Sequence, residues 1–152
     1  MKKVVAVCDA LIALALVAWV GGHAALGAFA ARIVFRDLPR PMAASTMSTI
    51  FSSFDNLIGV MAAILLAAAC ARVVAAREKR IDWVIAGAAF FLVALGIFEI
   101  TYVNRQILEM FQAGRTLEPS FQSLHHLSER CGHLEVVLTC VILGAQSWSR
   151  TP

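Results

Sequence analysis

Four apolar blocks run through the chain, separated by short polar connections. They lie at about residues 10–31, 50–71, 83–103 and 121–148. A stretch of about 20 apolar residues crosses the hydrocarbon of a bilayer, so each block predicts one transmembrane helix. Short connections make sequential helices antiparallel neighbours. The expected fold class is therefore all-α, an integral membrane four-helix up-down bundle built as a single transmembrane domain over residues 1–152.

The breaks between blocks are chemically marked. Arg32, Arg36 and Arg40 follow the first block, with Pro39 and Pro41 among them. Arg32 and Arg36 are one turn apart, so helix 1 is expected to continue past the hydrocarbon edge, and Pro41 suits the first turn of helix 2. Gly114 and Pro119 end the third helical pattern, and residues 106–111 before them are amphipathic, suited to extending the helix or lying on the membrane surface. In helix 2, Asp55, Gly59, Ala63, Ala67 and Ala71 recur at four-residue steps. That spacing makes a ridge of small residues suited to close helix packing, with Asp55 at its head and turned toward protein. Lys2, Lys3 and the later Ala28-Phe29-Ala30 have the form of a cleavable signal. The apolar run is longer than a signal core and the rest of the chain is equally membrane-like, so a retained helix is expected.

Composition agrees with this pattern. Hydrophobic residues make up 60% of the 152-residue chain and charged residues 15%, far from the balance of a soluble domain. The net charge of +3 is small and dispersed, which excludes a nucleic-acid partner. The partners that fit are the lipid bilayer and, within it, a second copy or another membrane protein. Cys8, Cys70, Cys131 and Cys140 show no C-x-x-C spacing. Cys131 and Cys140 are about 13 Å apart by helical rise, so four free thiols acting as buried packing residues are expected. Four crossings place Lys2, Lys3, Arg72, Arg77, Lys79, Arg80 and Arg150 on the side of the termini, against Arg32, Arg36, Arg40, Arg105, Arg115 and Arg130 on the other. The compact basic run near residue 77 favours cytoplasmic termini in the cell membrane.

The polar residues gather in one half of the expected bundle. His23 is in that half of helix 1, Asp55 and Asn56 begin helix 2, and Glu99, Asn104 and Arg105 end helix 3. His125, His126, Glu129, Arg130, His133 and Glu135 begin helix 4. Intramembrane ionisable groups are costly and mark functional candidates. Three readings follow. In the first, Arg32, Arg36, Arg105 and Arg130 pair with Asp55, Glu99, Glu129 and Glu135, and the cluster serves a non-catalytic binding or assembly module. In the second, His126, Glu129 and His133, at steps of three and four on one face, hold haem or a transition metal, with His23 opposite. The third is small-solute or metal transport, which requires polar groups in the Ala/Leu half of the bundle as well. No nucleophile–base pair or phosphate loop points to an enzyme.

Several segments carry a family likeness: Ala18-Trp19-Val20-Gly21-Gly22, Val34-Phe35-Arg36-Asp37-Leu38-Pro39-Arg40, Phe51 with Phe54, and Phe121-x-x-Leu124-His125-x-x-Ser128. Together they resemble the transmembrane protein 205-like family over most of the chain. The resemblance implies a four-helix membrane domain of unknown function. His126 and His133 depart from that pattern, which usually has Gly after the first histidine and often Asn near Gly132-His133. The Trp19-Val20-Gly21-Gly22-His23 stretch is also similar to the first helix of copper-resistance protein D membrane domains.

Overall fold

The computed structural model describes residues 2–76 and 79–149. Among the described residues there are four long helices: α1 (Lys3–Asp37), α2 (Arg40–Ala75), α3 (Arg80–Gln112) and α4 (Pro119–Trp148). Each is long and apolar enough to cross a membrane, and no strand occurs among the described residues. The fold is all-α, as the sequence predicts.

The helices are 35, 36, 33 and 30 residues long. At the α-helical rise they measure about 45–54 Å, against hydrocarbon about 30 Å thick. They overrun the crossings expected from hydropathy because the backbone ladder propagates through polar residues of good helix propensity until something stops it. After α1 the stop is Pro39, which forces Leu38 into an extended conformation (φ −117°, ψ 148°). Pro41 then sits in the first turn of α2. After α3 the stop is Gly114, whose φ of 69° places it in the left-handed region. The amide of Gly114 donates to the Phe111 carbonyl and that of Arg115 to the Met110 carbonyl, which closes the helix end in a Schellman motif. Residues 106–111 extend α3 rather than forming a separate surface helix.

The chain divides into two units, Met1–Arg77 and Glu78–Pro152. Each is an antiparallel helical hairpin: α1 packs along α2, and α3 along α4. In the first hairpin the buried positions of α1 are Ile12, Ala15, Leu16 and Trp19, and those of α2 include Ile58, Leu65, Ala68 and Ala69. In the second, Ile85, Ala88, Ala89 and Leu92 are buried on α3, and Cys131 and Ile142 on α4. These spacings of three and four are the buried stripe of an amphipathic helix, with the alternate face left to lipid.

Four expectations change here. The half of the chain read as plain Ala, Leu, Val and Ile buries Asp9, Arg72, Asp82 and Gln146. Arg72 is not a loop cation. It lies in the last turn of α2 and forms an ion pair with Asp9 of α1, the two side chains being only 2% and 4% exposed. Opposite charges at facing ends of antiparallel helices neutralise each other, which lets both enter the apolar layer. The ridge after Asp55 faces outward: Gly59, Ala63, Ala67 and Ala71 are exposed, because Ile58, Leu65 and Arg72 turn the neighbouring face of α2 inward. All four cysteines are free thiols, as expected, but only Cys8 and Cys131 are buried; Cys70 and Cys140 are exposed. Arg77 and Arg150, counted above for orientation, lie outside the described residues, as does the side chain of Lys79.

Candidate functional site: polar groups inside the two hairpins

Among the described residues three π-helical segments interrupt the α-helices, and each lies beside an ionisable residue of an apolar span. Val17–Gly21 and Leu26–Ala30 flank the short α-helical turn that carries His23, and Glu99–Asn104 begins with Glu99 itself. A π-helical turn widens the hydrogen-bond ladder and is found most often at functional positions.

In the first hairpin, His23 meets Phe54 edge to face, with ring centroids 5.0 Å apart and planes at 72°. Gly22 makes this approach feasible, since a Cβ there would collide with the Phe54 ring edge. Gly22→Ala is therefore expected to push Phe54 off His23 and cost about 1–3 kcal/mol, as overpacking does. Thermal unfolding in detergent checks this, and Phe54→Leu placed in the Gly22→Ala background is expected to recover most of the loss. Asp55, the next residue, is half-buried and within electrostatic reach of His23. Asn56 bonds back to the Ser52 carbonyl at 3.1 Å on an exposed face. Arg32 is exposed, and Arg36 forms a two-pronged pair with its neighbour Asp37 at 2.6 and 3.0 Å.

In the second hairpin the Ser128 hydroxyl donates to Glu99 Oε1 at 2.5 Å, tying α4 to α3. Cys131 and Glu135 follow on the same face of α4, 3% and 2% exposed, and the Cys131 thiol lies in the field of both Glu99 and Glu135. Thr139 is buried one turn further, and its hydroxyl has no hydrogen-bond partner among the described residues. Asn104 is half-buried, and Arg105 is exposed and pairs with Glu109 at 3.0 Å. Arg105 thus takes a partner on its own helix, as Arg36 does. In the connection to α4, Arg115 grips Glu118 at 2.6 Å and holds its carboxyl below the usual carboxylate range.

The helix-4 histidines lie on the other face of α4. His125, His126, Glu129, Arg130 and His133 are all exposed and fall on one side of the helix. His126 Nδ1 and Glu129 Oε2 are 3.0 Å apart, and His125 Nε2 and Glu129 Oε1 are 3.9 Å apart. Among the described residues no three His, Cys, Asp or Glu side chains gather where they can hold a metal ion. The first five turns of α4 therefore carry two separate polar faces: Ser128, Cys131 and Glu135 inward, and the histidines with Glu129 and Arg130 outward.

Reading by hydropathy missed Asp9, Arg72, Asp82, Thr139 and Gln146. Each stands at the margin of an apolar block or is too weakly polar to interrupt one. One signal was available: Asp9 and Arg72 have opposite charges at ends that an antiparallel hairpin brings together.

Residues 14–114 match a protein family described as a domain of unknown function, DUF4149. No curated protein and no solved structure gives a significant match.

Proposed function

Because the chain belongs to the DUF4149 family of unknown-function domains, we propose a function drawn from its own side chains: a non-catalytic membrane module that assembles with a second copy of itself through the outward polar face of α4. The observation carrying this reading is the exposure of His125, His126, Glu129, Arg130 and His133 on a helix otherwise apolar enough to span a bilayer. Charged side chains on such a helix seek partners. This face is self-complementary, since Glu129 supplies an anion beside the Arg130 cation and the imidazoles. Across a twofold axis each Glu129 would meet the partner copy's Arg130, the arrangement an isologous interface requires.

Native mass spectrometry of the full chain in nanodiscs tests this. A dimer is expected for the wild type and a monomer for Glu129→Lys and for Arg130→Glu. Mixing those two variants is expected to restore a heterodimer. A wild-type monomer at every concentration would remove the proposal.

A second reading rests on the His126–Glu129 contact with His133 one turn on: the same face binding haem or a transition metal. Elemental analysis and an absorption spectrum of freshly purified protein decide it. Stoichiometric metal or haem lost in the His126→Ala/His133→Ala double variant would favour it, and metal-free wild type would reject it. The likeness to transmembrane protein 205-like proteins at Trp19-Val20-Gly21-Gly22 and Arg36-Asp37-Leu38-Pro39-Arg40 belongs to this proposal as kinship, and cytoplasmic termini as orientation.

A further inference from the structure

The two hairpins share a pattern. At one constant separation along the chain, Asp9 corresponds to Asp82, Ile12 to Ile85, Ala15 to Ala88 and Trp19 to Leu92, and every one of these positions is buried. At the same separation Arg32 corresponds to Arg105, and the π-helical segment beginning at Leu26 corresponds to the one beginning at Glu99. On the second helices a separation one residue greater relates Leu65 to Thr139, Ala68 to Ile142 and Arg72 to Gln146, again all buried. It also relates Phe54, which touches the His23 turn, to Ser128, which touches Glu99. The chain thus reads as one hairpin motif used twice.

The copies differ in chemistry at matching positions. Where the first hairpin has Leu26, Phe54, Leu57, Met61 and Leu65, of which Leu65 is buried and Leu57 exposed, the second has Glu99, Ser128, Cys131, Glu135 and Thr139. The first copy shows that apolar side chains suffice at these positions of the hairpin. A carboxylate near a span centre costs about 2.5–3.5 kcal/mol on insertion scales, so packing alone does not explain its presence. Unlike Ser128, Thr139 is not tied up within the fold: its residue is 8% exposed and its hydroxyl is unpartnered. It lies one turn beyond Glu135 on the same face, as a side chain poised for a mobile hydrogen-bond partner would.

We infer that this stripe is a proton-transfer lane: Ser128, Cys131, Glu135, Thr139 and Gln146 of α4, with Glu99 near one end and Asp82 at the other. From Ser128 to Gln146 the lane extends about 27 Å along the helix, close to the thickness of the hydrocarbon. Its members are hydroxyls, a thiol, an amide and carboxyls, groups that accept a proton at one atom while releasing one from another or from bound water. A proton entering at one end is balanced by one leaving at the other, with no bond change in the protein. Ile142, fully buried, is the apolar step between Thr139 and Gln146, and it acts as the constriction. The inference goes beyond self-assembly and does not depend on it, since every group named lies on the second hairpin of one chain.

The test is proton entry into liposomes carrying the full-length protein, loaded with potassium and a pH-sensitive dye, with valinomycin setting an inside-negative potential. Acidification is expected to outpace protein-free liposomes and to fall about tenfold or more in the isosteric Glu135→Gln variant, the scale of losing a positioned proton-transfer group. Thr139→Val is expected to slow it as well, and Ile142→Ser, which wets the constriction, to speed it. Helical content and elution volume verify folding of each variant. Wild-type entry no faster than in protein-free liposomes would overturn the lane. So would unchanged rates in both Glu135→Gln and Thr139→Val.

Discussion

Arg72→Ala is expected to destabilise the protein by about 3–5 kcal/mol, the range for removing one partner of a buried ion pair. The size of the effect comes from what is left behind. Asp9 and Arg72 are almost completely enclosed, so the truncation takes the guanidinium away from a buried carboxylate and removes the largest polar side chain from the seam of the first hairpin. Asp9→Ala is expected to do the same with the opposite charge. Replacing both, as Asp9→Leu with Arg72→Met, is expected to be much milder, because two uncharged side chains of similar length then fill the space. Thermal unfolding of the four proteins in one detergent gives the coupling directly. Additive losses would mean that the two charges do not act on each other.

Glu99→Ala is the second large effect. It deletes the acceptor for Ser128 at the point where α3 and α4 are tied across the second hairpin. Hydrogen bonds to a charged group contribute about 1.5–3 kcal/mol, and a comparable loss of stability is expected. Ser128→Ala is expected to lose a comparable amount, since it takes a hydroxyl donor away from the buried Glu99 carboxylate. The double variant should lose little more than Glu99→Ala alone if the two residues act as a unit. Glu99→Gln keeps an acceptor oxygen and is expected to retain most of the stability. Melting temperatures in a common detergent check the series, and a Glu99→Ala variant that melts with the wild type would show the bond to be dispensable.

The sequence carried the four spans because the apolar blocks are long and the punctuation at Pro39, Pro41, Gly114 and Pro119 is unambiguous. It also carried Glu99 and Glu135 into one half of the bundle. Which face each residue occupies was less accessible. Glu129 and Glu135 look equivalent as intramembrane carboxylates, yet six residues on an α-helix turn one outward and the other inward. Asp55 and its row of small residues were assigned to the interior by spacing alone, whereas the face of α2 is chosen by Ile58, Leu65 and Arg72. Arg72 was assigned to water because hydropathy scores single residues, and the pairing that buries it is made across 63 residues of chain, between α1 and α2.

The connection between α1 and α2 is only Leu38–Pro39, with the helices resuming at Arg40. This brevity constrains how the protein can be made. A two-residue turn leaves no slack for α1 to settle in lipid while α2 searches for its place, so the unit released into the bilayer during synthesis is the pair. Asp9 and Arg72 sharpen the constraint, because each charge is tolerable only once the other has arrived. The pair is then expected to leave the insertion machinery together, once Arg72 at the far end of α2 has emerged.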